Sequence, residues 1–570
     1  MFKNIFKILP RKSRVRFTKT LIMSFFSSGL ELLSLGLIIP IIYFVINPEN
    51  IFLVNLISFI KLNFKNISTN QIYEYLIISL IFIFVFKTIY LCYFLKYQHV
   101  FKRNLRSSLA QSLFTKYLKL QYIESTRKGF AEMQKNIDSE TLRFSELVHS
   151  YIMFINEMMM AITIIAFLFF FNFQITSILT FIFLLIFIIL YLALRNKFKS
   201  WGIKGQDAFK NYNNTILQSF NNLRETKLQG KEDFFIERFL VDNKSKNLFE
   251  YNHRLFSTLP RYFIELVAVL LIFLILFIML QKNNELDYVL ATLGLFAYSS
   301  VRLLPILNKL TNLVGQIRYF SYSAELILKE LTFLDNKYNL GYRKDLKNNK
   351  IETIELKDIY FSYKKKPILK NTSLKLEKGA ITGIYGPSGS GKTTLLDILS
   401  SLIIPDDGKI FINNKLVNSH DFFWGKEISY ISQSTDLFND RIKFNITFGE
   451  AAEKIDTEKM NFSIKASNLK KFIENLPEGI NTVVGEKGSQ ISSGQKQRIN
   501  IARAFYNESK VLIMDESTNS LDAENEQLIF NDITKIKKDL IVLIISHNKE
   551  LLKKFCDNLY ELNNFKLQKT

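Results

Sequence analysis

Lys392 and Thr393 close the run Gly386-Pro387-Ser388-Gly389-Ser390-Gly391, and Thr394 follows them. The spacing is G-x-x-x-x-G-K-[ST], in which glycines let successive backbone N–H groups turn inward around phosphate oxygens. A lysine there reaches the β- and γ-phosphates of a nucleoside triphosphate, and the Thr393 hydroxyl is placed to ligate Mg²⁺. Such a loop requires a strand before it and a helix after it. Ile381 to Tyr385 is apolar, and Leu395, Leu396, Ile398 and Leu399 recur at helical spacing, so a chance Gly/Ser-rich turn is disfavoured.

Further chemistry-bearing residues follow in order. Val511-Leu512-Ile513-Met514 is an apolar strand ending in Asp515 and Glu516. A strand of that kind is buried in a parallel sheet and delivers its terminal carboxylates to the sheet's C-terminal edge, beside the phosphates. Asp515 is expected to hold Mg²⁺, directly or through water, and Glu516 to polarise an attacking water as general base. Ser492-Ser493-Gly494-Gln495 precedes a basic helix start, and Asn519-Ser520-Leu521-Asp522 comes after the carboxylates. A second apolar strand, Leu540 to Ile545, ends at Ser546-His547.

This ordered set, over roughly residues 351–565, resembles the ATP-binding domain of the ABC transporter family. The resemblance implies ATP and Mg²⁺ as cofactors. It places Ser492, Ser493, Gly494 and Gln495 as a signature that lies on the opposite subunit's phosphates. Ser493 stands where the family usually has glycine, so ATP closure is expected to be retuned but not lost. Gln433 looks like the glutamine that links Mg²⁺ to the membrane domain, and Tyr363 like the aromatic that stacks on adenine. His547 is implied to contact the γ-phosphate and Asp522 to bridge two subunits. Gly485-Glu486-Lys487-Gly488 looks like the segment that meets the membrane loops in exporters. Trp424 is read as packing.

The N-terminal half is different in kind. Apolar stretches near 17–46, 72–97, 148–171, 174–194, 258–280 and 287–320 each approach the ~20 residues needed to cross a bilayer. The expected fold is a membrane all-α domain of six transmembrane helices over 1–330, a polar Lys/Asn-rich linker over 331–350, and an α/β P-loop NTPase domain of ABC type over 351–570. Basic residues crowd the N-terminus and the segments after the second and fourth spans, so both ends and the ATP domain are expected in the cytoplasm. Those two basic segments resemble the cytoplasmic extensions of a type IV exporter, with coupling helices expected near Gln121 to Lys128 and Leu217 to Arg224.

The net charge of +22 fits positive-inside residues and a lysine-rich cytoplasmic face. No nucleic-acid partner is expected, because the charge is spread along membrane flanks. Cys92 and Cys556 sit in different contexts, so no disulfide is expected. The first apolar span is too long for a cleavable signal. One phosphate loop and one signature per chain imply a homodimer, as the two cannot meet across one nucleotide in this family.

The segments 223–235, 259–265 and 301–308 resemble the flippases of lipid-linked oligosaccharides used in bacterial protein glycosylation. This implies outward movement of a polyprenyl-diphosphate-linked glycan or similar anionic amphiphile across a bacterial cytoplasmic (inner) membrane. An exporter of another lipid, drug or peptide stays open, as does a non-transporting ATP-gated protein. Glu31, Lys87, Glu157, Glu265 and Arg302 lie in or near apolar stretches, where charge is costly. Arg302 and Lys87 are candidates to receive a diphosphate; pairing with Glu31 or Glu265 is the alternative. Pro305 is expected to kink the sixth span.

Overall fold

The computed structural model describes residues 2–46, 57–58, 69–281, 286–338, 344–345, 350–363, 366–417, 422–424, 427–432, 436–516 and 523–570. The chain divides into two compact units. One comprises Met1–Leu118 with Lys128–Asp335, the other Asn336–Thr570 with the short segment Lys119–Arg127.

The first unit is helical. Its long elements are α1 (Arg11–Ile46), α2 (Thr69–Leu118), α4 (Thr141–Phe171), α5 (Phe173–Asn221), α7 (Glu232–Thr258), α8 (Pro260–Gln281) and α9 (Leu286–Tyr338); α3 (Tyr122–Lys128) and α6 (Leu223–Leu228) are short. Helices α2, α5 and α9 have 50, 49 and 53 residues. At 1.5 Å per residue each is ~75 Å long, more than twice a bilayer's apolar core, so each carries both an apolar length and a polar extension.

Among the described residues, five helical stretches are long and apolar enough to cross a membrane: Arg11–Leu37, Glu74–Leu118, Phe130–Phe170, Phe173–Asn221 and Glu232–Leu274. The sixth expected span falls on α9, several of whose side chains lie outside the described residues. Phe82, Phe170, Phe181 and Phe273 are exposed on the outer surface. An apolar exterior on this scale suits a lipid solvent. The helices pack through Phe17, Phe101, Leu105, Phe144, Leu147 and Ile152, all nearly inaccessible.

The second short helix, α6, begins later than expected. α5 runs through Asn221, and Asn222 (φ −106°, ψ 26°) ends it by donating from Nδ2 to the Gln218 carbonyl at 2.8 Å. Gly230, at φ +58°, then turns the chain into α7. Pro260 opens α8 at its first turn, where its missing N–H costs nothing. α9 continues through Pro305 as one helix and on to Tyr338, so the start of the polar 331–350 segment is helical.

The second unit contains a six-stranded sheet and a four-stranded antiparallel sheet. The antiparallel sheet has the order β2-β1-β4-β5, with β1 (Thr353–Tyr363), β2 (Lys366–Glu377), β4 (Asp407–Ile412) and β5 (Lys415–Val417). The larger sheet has the order β10-β9-β3-β8-β7-β6, with β3 (Ile381–Tyr385), β6 (Ile428–Ile431), β7 (Val511–Asp515), β8 (Ile541–Ile545), β9 (Asn558–Asn563) and β10 (Lys566–Lys569). All its pairings are parallel except β9 with β10.

β8 is apolar throughout because both of its faces are covered. Ile541, Leu543 and Ile545 join a core with Leu395, Leu396 and Leu399 of α10 (Lys392–Leu399). Val542 and Ile544 point the other way, toward Ile501, Ala504 and Phe505 of α11 (Ser493–Tyr506). Trp424 is 1% exposed and donates Nε1–H to the Leu399 carbonyl, a packing role. Ile123, in the segment 119–127, packs against the first of these cores. Cys92 and Cys556 are both free, and burial pushes the Cys556 thiol up to about 12.

Candidate functional site

Strands β3 and β7 flank β8 and run parallel to it, so the loop after β3 and the carboxylates after β7 emerge at one sheet edge. The loop 386–391 leaves β3 and enters α10 through Gly391, whose φ of +106° an L side chain would resist. A Cβ on Gly386 would stand 2.3 Å from the Leu562 carbonyl oxygen, so β9 holds the loop too tightly for any side chain there. Pro387, Ser388 and Gly389 are exposed at the loop's rim. Ser390 is 9% exposed, and its Oγ has no hydrogen-bond partner among the described residues. Lys392 is 7% exposed and donates from Nζ to the carbonyls of Gly386 at 2.9 Å and Pro387 at 3.1 Å. Thr393 is exposed at the head of α10, and Thr394 is buried beside it.

Glu516 adopts φ +49° and donates its backbone N–H to the Ile545 carbonyl at 2.9 Å. A positive φ at a non-glycine residue is costly and is kept where the surroundings fix it. Its Oε1 lies 2.7 Å from His547 Nε2 and 3.8 Å from Lys392 Nζ. Two basic side chains, Lys392 from the head of α10 and His547 from the loop after β8, therefore converge on the Glu516 carboxylate, which is only 14% exposed.

Asp515 accepts a hydrogen bond from the Tyr430 hydroxyl at 2.6 Å. Burial pushes the Asp515 carboxyl above its ordinary value; the Tyr430 bond opposes this and the Glu516 charge adds to it. Burial and the neighbouring Asp515 charge push Asp397 up to about 6. Neither Tyr430 nor Asp397 was expected at the site. The only sequence signal for Tyr430 is that it stands three residues before Gln433; in the structure β6 pairs with β7 so that Tyr430 aligns with Ile513, two residues before Asp515. Asp397 is one helical turn past Lys392–Thr394 on α10, which puts it on the loop-facing side.

These groups fit a nucleoside triphosphate with Mg²⁺. Backbone N–H groups, the buried unpartnered Ser390 hydroxyl and the Lys392 ammonium would face the phosphates of such a ligand, and the Thr393 hydroxyl and the Asp515 carboxylate are the hard oxygens that would hold the cation. Tyr363 is 36% exposed at the end of β1 and packs edge-on against Phe361 at 4.9 Å. Ser492 caps α11 by accepting from the Gln495 N–H at 3.3 Å, and Gln495 Oε1 accepts from the Ser492 N–H at 2.9 Å. This reciprocal box leaves Ser492 and Ser493 exposed at the helix N-terminus, with Gly494 partly so. Lys487 (φ +51°) and Gly488 (φ +70°) turn the chain just before it, and Lys496 Nζ donates to the Lys487 carbonyl at 2.8 Å. Gln433 and Asp522 lie outside the described residues.

In the helical unit the charges near apolar stretches are paired. Lys87 Nζ is 2.5 Å from Glu31 Oε2, with the two side chains 5% and 3% exposed, and it donates to Ser34 Oγ at 3.1 Å. Arg302 Nε is 3.7 Å from the same carboxylate, and its guanidinium, 37% exposed, lies over the rings of Phe84 and Tyr298. Glu157 pairs with Lys309 at 2.5 Å, and Glu265 with Arg261 at 2.7 Å. Glu31, not Glu265, is thus the partner of both Lys87 and Arg302.

Residues 369–519 match the family model described as ABC transporter. The chain is 30% identical over 458 residues to ABC transporter B family member 1 of Dictyostelium discoideum, covering 78% of this chain and 48% of that protein. It is 39% identical over 227 residues to a putative export ATP-binding/permease protein of Rickettsia typhi, covering 39% and 38%. In both cases the match spans less than half of the relative's length. An ATP-dependent lipid A-core flippase of Photobacterium profundum is 27% identical over 450 residues, covering 77% of this chain and 75% of that one. The solved structure of a bacterial Atm1-family ABC exporter with ATP bound has the same fold, with a TM-score of 0.77 at 18% identity over 97% of this chain and 94% of that one. Residues 369–519 thus belong to the ABC transporter family, and the chain as a whole has the exporter fold, a helical unit ahead of the ATP-binding domain.

Proposed function

We propose that this chain is one half of a homodimeric ATP-driven exporter that moves an anionic amphiphile outward across a bacterial cytoplasmic membrane. The observation that carries the ATPase reading is the position of Glu516, 2.7 Å from His547 and 3.8 Å from Lys392 at the C-terminal edge of a parallel sheet. The loop N–H groups and Lys392 bind phosphate oxygens, and Thr393 and Asp515 hold the cation. Glu516 takes a proton from the attacking water at its carboxylate, and His547 orients that carboxylate and meets the γ-phosphate. Mg²⁺, when bound, neutralises charge on the phosphates. Tyr363 stacks on the adenine and Ser492 to Gln495 close over the partner's nucleotide.

Glu516→Gln is expected to keep ATP binding and to lower turnover on the order of 10²- to 10⁴-fold. Wild-type turnover in that variant overturns the assignment.

For cargo, we infer a lipid-linked oligosaccharide. Supporting this are the three flippase-like segments and the surplus of one cation in the Lys87–Glu31–Arg302 group. The relative named a lipid A-core flippase favours a second lipid cargo of that kind. Reconstitution with a polyprenyl-diphosphate glycan, a lipid A-type lipid and a cationic drug in parallel separates these. ATP-dependent translocation of the drug alone would sink the amphiphile reading.

A further inference from the structure

An open cavity of about 600 Å³ in the helical unit is lined by His99, Lys102, Arg103 and Arg106 of α2, and faces Asp138 and Glu146. The pairs His99/Arg103 and Lys102/Arg106 are each four residues apart, so they gather on one side of α2. Lys102 Nζ is 2.5 Å from Glu146, and Arg106 Nη2 is 2.7 Å from Asp138, so the carboxylates orient two of the cations. Arg103 is exposed and has no side-chain partner among the described residues. The exposed His99 ring lies 5.4 Å from His149. Among the lysine, arginine and carboxylate side chains of the lining, three cations face two anions, and one positive charge is left over at Arg103.

The opposite wall contains a turn of π-helix, Asn136–Glu140, just before α4. A π-turn gives up good helical hydrogen bonding and inserts a residue, and such turns concentrate at functional sites. Here it brings Asp138 onto the cavity wall opposite Arg106. The apolar stretch of α2 ends near residue 97, and His99 to Arg106 occupy the next ~10 Å of helix. On the membrane-spanning reading of α2, on which this depends, that is the depth of the cytoplasmic headgroups.

We propose that this cavity binds a phosphodiester anion, supplied by an anionic phospholipid of the surrounding leaflet. A phosphodiester carries a single charge and matches the surplus at Arg103. The guanidinium offers it paired N–H donors while His99 and Lys102 flank it. His99 lies 12 residues beyond Lys87 on α2, ~18 Å along the helix, so the site is distinct from the Lys87–Glu31–Arg302 group.

The full chain, purified in detergent, is titrated with dioleoyl-phosphatidylglycerol and with dioleoylglycerol, and bound lipid is counted by native mass spectrometry. Phosphatidylglycerol is expected to bind and dioleoylglycerol not. Arg103→Ala should weaken the lipid about tenfold, Arg103→Lys should retain most binding, and Arg103→Glu should abolish it. Competition by glycerophosphoglycerol only in large excess supports the lipid as source; equal competition supports a soluble phosphodiester at the same site. Unchanged phosphatidylglycerol binding in both Arg103→Ala and Arg103→Glu overturns the proposal.

Discussion

Replacing Glu31 by glutamine removes one charge from a group of three, two of whose members, Glu31 and Lys87, are almost fully buried, and leaves its size alone. Lys87, 5% exposed, then keeps Ser34 Oγ at 3.1 Å but loses the carboxylate 2.5 Å away. Removing one member of a buried ion pair costs ~3–5 kcal/mol, because the remaining ion is left desolvated and unpaired. At ~2 °C per kcal/mol for a large domain, the thermal midpoint in detergent should fall by roughly 6–10 °C. Removing both members, as Glu31→Leu with Lys87→Leu, replaces the pair by apolar volume and should cost far less. Arg302 is 37% exposed and can turn to water or headgroups, so Arg302→Ala should shift the midpoint by only ~1–2 °C. The double replacement should therefore be less damaging than Glu31→Gln, with a coupling of at least about 2 kcal/mol between the two sites. Thermal melts of wild type, Glu31→Gln, Glu31→Leu, Lys87→Leu, the double leucine variant and Arg302→Ala at one detergent concentration give the comparison. Additive losses, or a Glu31→Gln midpoint within 2 °C of wild type, would show that the group does not act as a unit.

Other consequences follow from the ATP-binding unit. Asp397 is pushed up to about 6 by burial and by Asp515, so the folded state binds its proton more tightly than the unfolded chain does. Its contribution is fully present below the ordinary carboxylate range and is lost as pH rises through about 6; with partial exposure discounted, the loss is ~1–2 kcal/mol. Asp397→Asn should therefore raise the melting midpoint at pH 7.5 and leave it unchanged near pH 4, in Mg²⁺-free buffer; a rise at both would mean another cause. Gly386→Ala meets the Leu562 carbonyl at 2.3 Å, and should lose ~2 kcal/mol along with nucleotide binding, read by thermal shift with and without ATP. Ser492→Ala removes the Oγ that accepts from the Gln495 N–H, leaves the backbone N–H of residue 492 donating to Gln495 Oε1, and should cost ~1 kcal/mol. Ser493→Gly restores the family's residue at an exposed helix start and should raise ATP turnover severalfold; slower turnover would count against a retuned closure.

The ATP-binding half was legible because its chemistry is local in sequence. Gly386 to Thr393 is one continuous motif, and strand, loop and helix lie within 19 residues, Ile381 to Leu399, so spacing alone sets their order. The carboxylates of Asp515 and Glu516 could be placed beside that loop because a doubly covered parallel strand has to deliver its C-terminal residues to one edge. Tyr430 was less legible. Its role depends on β6 being the neighbour of β7, and a three-dimensional strand order is not written in the periodicity of either strand. Asp397 reads as an ordinary polar residue on an amphipathic helix until Asp515 is brought across from more than a hundred residues away.

In the helical half, length and apolarity announced the spans, but the choice of partners did not follow from them. Arg261 and Glu265 are four residues apart on α8, and their contact at 2.7 Å is set by the helix itself. That local pairing removes Glu265 as a partner for distant cations. Lys87 and Arg302 sit on α2 and α9, and the carboxylate of Glu31 on α1 meets both. Each helix advances 100° per residue, so a one-residue change in the rotation of any of the three would turn its charge out of the group. What fixes that rotation is packing elsewhere along the same helices, such as Phe17 of α1 and Phe101 of α2 in one apolar cluster with Ile317 of α9. Charge pairing in the apolar zone is therefore set by close packing many residues away. A large-to-small change at Phe17 should then loosen the Glu31 group as well as the cluster it occupies, and a double-mutant cycle between Phe17→Ala and Glu31→Gln should show coupling across about four helical turns.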